Sequence, residues 1–363
     1  MIVYCFIFIM LVMAVFLQYF HKKELAFFCF WTGFLSALYV NAFRDMIGGY
    51  DIYVYGQVFE NTKYNGNVFN WEWGFYNFST LIYYLNSNRY FYFAVLAIII
   101  LVGFLRIAQK QNTRFNYYLV FFLIFCKLYL YSFVYLRQNL AMIIIWFGFM
   151  YYLDNQKIKG RALSVLSALF HTSGIISISM FLKNSIFKKS TVYIFFVIGC
   201  LLGLVLSTTK IFSLFGKFIG NDKASVYGEI DGVFNFFYLI EASLLFLWLI
   251  IRFNIYKVQN YKYQIVYNAS VIYMFFLLLA VTNATAVRFT WYFLIGAIMF
   301  ISHEININRK NRNLIILLVI TYFSLIFFRI MIVWDNGDFM PYKSIFNDIP
   351  RHGQWEFMEY RSK

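Results

Sequence analysis

The sequence predicts an all-α polytopic membrane protein of about ten transmembrane helices, one re-entrant helical pair and a partly helical outer loop. Three observations predict it. Hydrophobic residues make up 62% of the chain and charged ones only 13%, against roughly 25% charged in a soluble protein. Apolar runs of 16–21 residues recur along the whole length, close to the ~20 residues a helix needs to cross about 30 Å of hydrocarbon. Aromatic residues reach 24% while proline occurs only twice, which excludes disordered and proline-rich chains. With no water to satisfy the backbone, such runs must be helical. Residues 1–363 then form a single integral membrane domain, with no internal repeat, soluble domain or linker.

The first run, 2–19, lacks the basic start and small-residue cleavage site of a signal peptide, so a retained span is expected. Further spans are predicted at 25–42, 90–106, 116–134, 136–153, 191–207, 234–251, 265–282, 287–302 and 313–332. Cys5, Cys29, Cys126 and Cys200 all fall in apolar runs, where they fit lipid-facing or core positions better than a metal site or a disulfide framework.

Orientation follows from Lys and Arg, which are enriched in cytoplasmic loops. The joints near His21 to Lys23, Arg106 to Arg114, Asp154 to Arg161, Arg252 to Lys262 and His303 to Arg312 are all basic. Lys183 to Lys189 is basic too, and keeping it on the same side requires 162–182 to enter and return as two half-helices. Both termini then lie outside. Seventeen Lys/Arg fall on cytoplasmic joints, thirteen on outer segments, and Lys127 lies within a span. The net charge of +15 therefore describes a collar facing anionic lipid, and the chain has no soluble basic patch for nucleic acid.

Two outer segments are long enough to do chemistry. The first, 43–89, holds Arg44, Asp51, Glu60, Glu72 and Arg89 among aromatics and glycines, and Trp71 to Asn86 suits an amphipathic helix at the interface. The second is the 208–233 loop with Asp222, Glu229 and Asp231. The tail after Trp334 is a third outer piece, too short to form a domain.

Charges at the edge of a span are costly and mark candidate sites. Arg137, in Leu136-Arg137-Gln138-Asn139, interrupts an apolar stretch from Tyr117 to Leu153. Its planar fork suits a phosphate, and snorkelling to head groups is the alternative. Arg44 ends the second span, and the Gly48-Gly49 turn offers a way for it to converge with Asp51; an anchoring Arg and a solvated Asp are the bland reading. Arg288 opens a later span on the same side. His171 falls at the break of the re-entrant pair, where about nine helical residues, roughly 13 Å, place it near mid-membrane. There it suits a general base or phosphate ligand, or a structural histidine bonded within the bundle. No Gly-x-Ser-x-Gly, P-loop or His-Glu-x-x-His occurs.

In order, Phe43-Arg44 with Tyr50-Asp51, Trp71-Glu72-Trp73-Gly74-Phe75, Leu136-Arg137-Gln138-Asn139, Ala168-Leu169-Phe170-His171-Thr172-Ser173, Arg288 with Tyr292-Phe293, and Pro341-Tyr342-Lys343-Ser344 resemble the EpsG/Wzy-type family of membrane polysaccharide polymerases. The resemblance spans roughly 40–350, and Asn139 stands where that family commonly has Gly. It implies a bacterial inner-membrane glycosyltransferase that lengthens O-antigen, capsule or exopolysaccharide, its site facing the periplasm or exterior. Donor and acceptor would be undecaprenyl-pyrophosphate-linked oligosaccharides in the lipid bilayer, with a chain-length regulator protein as a further partner. No cofactor or metal is expected, since the lipid-linked donor is already activated. Arg44, Arg137 and Arg288 would hold pyrophosphate, with His171, Asp51 or Glu72 catalytic and Gln138, Tyr342 and Lys343 as additional candidates. A flippase for the same lipid-linked sugar is the main competitor, but it should show repeats and charges along a central path. Another polyprenyl-dependent membrane glycosyltransferase, or a membrane acyltransferase, is the second competitor.

Overall fold

The computed structural model describes residues 1–62, 70–110, 117–181, 183, 185–205, 234–283, 286–308, 310–333, 335 and 338–347. The expected 208–233 loop, with Asp222, Glu229 and Asp231, lies outside the described residues. Helices dominate, and no sheet forms among the described residues. In chain order they are α1 (Ile2–Tyr19), α2 (Lys23–Ala42), α3 (Tyr50–Glu60), α4 (Trp73–Leu85), α5 (Arg89–Lys110), α6 (Tyr117–Leu128), α7 (Tyr131–Val134), α8 (Leu136–Leu153) and α9 (Lys157–Ser167). A 3-10 helix, Thr172–Phe181, precedes α10 (Lys189–Cys200), α11 (Phe236–Lys257), α12 (Tyr261–Leu279), α13 (Val287–Ile307) and α14 (Arg312–Val333).

Six of these, α1, α2, α5, α11, α12 and α14, are long and apolar enough to cross a membrane. The other four expected spans are also helical where described; 136–153 has the expected bounds and the other three differ from the prediction. The 116–134 span breaks after Leu128 into α6 and the single turn α7. The 191–207 span is a short α10 that passes into a π-helical turn at Leu201–Val205. α8 is intact but opens on Arg137, Gln138 and Asn139. α13 runs past residue 302 and carries His303 and Glu304, both buried, where a cytoplasmic joint was expected. A helix continues wherever its carbonyls find N–H partners, so a polar sequence inside a packed bundle does not force a loop. The fold is thus that of a multi-pass membrane protein with six helices of spanning length and character among the described residues.

Contacts cluster the chain into two compact units. The first comprises Met1–Ile144, Leu166–Thr172 and Ser302 onward. Its core is aromatic, with Phe8 stacked on Phe327 and Phe30 on Tyr118. Lys127, the charge expected inside a span, is buried on α6 with its Nζ 5.8 Å from the Tyr322 and Phe323 rings of α14, a cation–π arrangement suited to a site that water does not reach.

The 43–49 turn in this unit is clamped by the far end of the chain. Gly48 and Gly49 take positive φ, and the Gly48 amide donates to the Asp338 carbonyl at 3.0 Å. The Asp45 amide donates to the Lys343 carbonyl, the Ile345 amide to the Phe43 carbonyl, and Lys343 Nζ lies 3.2 Å from Asp45 Oδ2. The segment 339–346 thereby closes on α2 and the turn after it.

The second unit comprises Ile145–Val165 and Ser173–Ile301. α11 and α12 run antiparallel, with Tyr273 donating to Glu241 Oε1 at 2.6 Å and Tyr267 to the Leu249 carbonyl at 3.1 Å. Within this unit α9 and the 3-10 helix also meet. Ser164 and Ser177 hydroxyls lie 2.5 Å apart, and Arg161 Nη2 donates to the Phe181 carbonyl at 3.3 Å. The 3-10 helix therefore returns alongside α9, with the break at Ala168–His171, although its second leg is 3-10 where an α half-helix was expected.

Candidate active site

Glu72 sits immediately before α4, where its carboxylate faces three groups. Arg137 Nη1 donates to its Oε2 at 2.7 Å, the Thr172 amide donates to its Oε1 at 3.2 Å, and His171 Nδ1 lies 4.0 Å from Oε1. Burial works against the Glu72 charge, but the Arg137 guanidinium, backbone N–H groups and His171 together hold its carboxyl below the usual carboxylate range. Three segments far apart in sequence thus meet at one carboxylate, all within the first unit.

Local geometry explains why these residues occupy these places. The first N–H groups of a helix have no partner inside it. Here the amides of Gly74 and Phe75 donate to the Leu169 carbonyl at 2.8 and 3.2 Å, so the helix start docks the break of the hairpin. A Cβ on Gly74 would stand 2.8 Å from that carbonyl oxygen, which is why the approach requires glycine. Docking at Leu169 carries His171 and Thr172 to Glu72.

Arg137 lies in the first turn of α8. Arg44 lies over both the Phe93 and Phe133 rings, and Gly103 faces the Ile143 side chain. α3 packs against the start of α5: Gly56 faces Arg89 and Phe93, Phe59 stacks on Tyr92, and Arg89 makes a bidentate pair with Glu60, its Nε 2.6 Å from Oε1.

The remaining sequence candidates are placed as follows. Arg44 is 1% exposed, and its guanidinium donates to the Asn41 carbonyl and side chain, to the Ile47 carbonyl and to the Phe133 carbonyl. It braces the turn after α2, and the convergence with Asp51 expected from the Gly-Gly turn does not occur. The turn instead directs Arg44 inward onto carbonyls that would otherwise be buried without donors. Asp51 is half-buried in the first turn of α3, one turn before Tyr55, on whose hydroxyl its charge acts. Gln138 is buried beside Arg137 in sequence. Tyr342 donates to the Val40 carbonyl at 3.2 Å, and Lys343 holds Asp45, so both belong to the clamp on the 43–49 turn. Arg288 lies in the second unit, half-buried in the first turn of α13, one turn before Tyr292, whose hydroxyl meets Ser173 at 2.7 Å.

Sequence reasoning missed Tyr55. Its hydroxyl accepts from Arg137 Nε at 3.0 Å, and its ring, 7% exposed, is packed by Trp71 and Phe75. The only sequence signal is its place one helical turn after Asp51. The Arg89–Glu60 pair and the Tyr273–Glu241 bond were not anticipated either.

The apolar helices define a multi-pass membrane protein in which Arg137 and His171 gather at the Glu72 carboxylate. The EpsG family model matches residues 33–344, and the chain belongs to the EpsG family. That membership points to a membrane polysaccharide polymerase-type function, and the family is generally associated with glycosyltransferase-like polymerases. No curated protein and no solved structure matches the chain.

Proposed function

We propose that this protein is a polysaccharide polymerase that transfers an undecaprenyl-pyrophosphate-linked glycan onto the non-reducing end of the next lipid-linked repeat unit, at the outer face of the bacterial inner membrane. The observation that carries this reading is the convergence of Arg137, Glu72 and His171. In the transfer, the acceptor hydroxyl oxygen forms a bond to the anomeric carbon of the donor glycan. The bond from that carbon to the pyrophosphate oxygen breaks, and undecaprenyl pyrophosphate leaves with the electron pair. Arg137 stabilises the charge that develops on the leaving group. His171 takes the proton of the acceptor hydroxyl. Glu72 is already committed to Arg137 and the Thr172 amide, so its role is to hold Arg137 and orient the imidazole rather than to act as the base.

A gel of surface polysaccharide from a deletion strain and its complemented parent tests this. Polymerase activity gives a glycan capped at one repeat unit in the deletion and a ladder on complementation. Complete loss of the repeat unit from the surface would assign the protein to flipping or an earlier transfer, and an unchanged ladder would remove it from polysaccharide assembly.

A further inference from the structure

We infer that the Tyr55 hydroxyl and Arg137 Nη2 form a two-donor subsite for one phosphoryl oxygen. The inference rests on the polymerase reading only for the identity of the phosphorylated ligand.

Arg137 Nε donates to Tyr55 Oη at 3.0 Å and Nη1 donates to Glu72 Oε2 at 2.7 Å. Nη2 and the proton of the Tyr55 hydroxyl find no acceptor among the described residues. A guanidinium carries five N–H donors in a rigid plane, and Nε–H lies beside one Nη2–H along one edge. Arg89 shows what a filled edge looks like, with Nε and Nη2 both on the Glu60 carboxylate. On Arg137 the same edge meets only a neutral phenol. An anionic oxygen placed next to Tyr55 Oη accepts from Nη2 and from the phenol together.

Both donors are fixed before any ligand arrives. Trp71 and Phe75 hold the Tyr55 ring at centroid distances of 5.5 and 5.9 Å, and Glu72 holds the far end of the guanidinium. Burial, offset only in part by Arg137, lifts the Tyr55 pKa above the ordinary phenol value, so the hydroxyl keeps its proton at neutral pH. Glu72 turns one oxygen to Arg137 Nη1 and the other to the Thr172 amide, which leaves the Nη2 edge to the ligand. Preorganised donors of this kind favour a tetrahedral phosphoryl group, whose several oxygens spread their charge over separate contacts.

Binding of undecaprenyl pyrophosphate and, separately, of inorganic pyrophosphate to the purified full chain tests the subsite. Tyr55→Phe keeps the ring and removes the donor, and the expected result is at least about tenfold weaker binding. Replacing Tyr55 with 3,5-difluorotyrosine, at a pH low enough to keep it protonated, makes the hydroxyl a better donor and a poorer acceptor. Tighter binding is expected. Difluorotyrosine that weakens binding as phenylalanine does would reduce Tyr55 to an acceptor for Arg137 Nε and overturn the subsite, as would Tyr55→Phe with wild-type affinity. A wild-type chain that binds neither ligand also overturns it. Binding of the lipid form alone supports a subsite that needs the polyprenyl tail, and binding of both supports one that reads the phosphoryl group by itself. A chain that binds through Tyr55 while its deletion leaves the polysaccharide ladder unchanged keeps the subsite and removes the polymerase reading.

Discussion

The Gly74 amide donates to the Leu169 carbonyl at 2.8 Å, and with the Phe75 amide on the same oxygen it joins the start of α4 to the break of the hairpin. The approach of His171 and Thr172 to Glu72 depends on it, since Glu72 lies two residues before Gly74 and His171 two residues after Leu169. Gly74→Ala places a Cβ 2.8 Å from the Leu169 oxygen and 2.9 Å from its Cβ. Backbone must then shift, at a cost of about 1–3 kcal/mol. The expected outcome is a polysaccharide ladder lost or strongly shortened, with the protein still present in the membrane fraction. A ladder of normal length would mean that this contact does not position the site.

Arg44 and Arg137 should fail in different ways. Arg44 is sealed inside the first unit, so Arg44→Ala leaves the Asn41, Ile47 and Phe133 carbonyls short of a donor, each at about 1–3 kcal/mol. Low yield of folded protein and a lower Tm are expected. Arg137→Ala removes a side chain 28% exposed and held by two partners, so the protein should fold and lose polymer. Expression, Tm and ladder measured on both variants separate the two roles. Normal chain length in Arg137→Ala would count heavily against a pyrophosphate ligand there. Arg288→Ala, in the second unit, is expected to fold and abolish polymer as well.

Glu72 makes a prediction about pH. Its carboxyl is held below the ordinary value of 4.5 in the folded protein, so its contribution to stability is fully present above 4.5 and is lost as pH falls through the lower folded value. Thermal unfolding in nanodiscs should show an acid limb that begins only below that point, and Glu72→Gln should flatten it. A limb unchanged in Glu72→Gln would assign the acid sensitivity to other carboxylates.

The parts of this site that were legible in sequence are those where a residue breaks a local rule. Arg137 interrupts an apolar run, His171 stands at a gap in the helical pattern, and Glu72 precedes a helix that opens with Trp-Gly. Arg44 breaks the same rule and was placed on a ligand, whereas tertiary structure gives it four donations inside the protein. Nothing in a linear pattern distinguishes an arginine facing a phosphate from one facing carbonyls. Tyr55 was illegible for the opposite reason: with 31 tyrosines and a 24% aromatic content, no single phenol stands out. The spans show the same division. Long apolar runs such as α1 and α14 are specified by their own composition, while the break after Leu128 and the buried His303 and Glu304 depend on packing that composition does not encode.

The turn-back of residues 162–182 gives a prediction independent of chemistry. Ser164 and Ser177 hydroxyls are 2.5 Å apart, and Arg161 reaches the Phe181 carbonyl, so the two legs run side by side. Cys5, Cys29, Cys126 and Cys200 are free and can be replaced to give a silent background. In that background Ser164→Cys with Ser177→Cys should form a disulfide on mild oxidation, since the two hydroxyl oxygens that the sulfurs would replace are only 2.5 Å apart and an S–S bond is about 2.0 Å long. Proteolysis between them would then leave a chain of unchanged mobility until reduction. A pair that never crosslinks would mean the legs are not neighbours. Labelling of Ser185→Cys adds the membrane side: reactivity only from the cytoplasm is expected of a hairpin that enters and returns, and reactivity only from outside would require 162–182 to cross and would invert every loop after it.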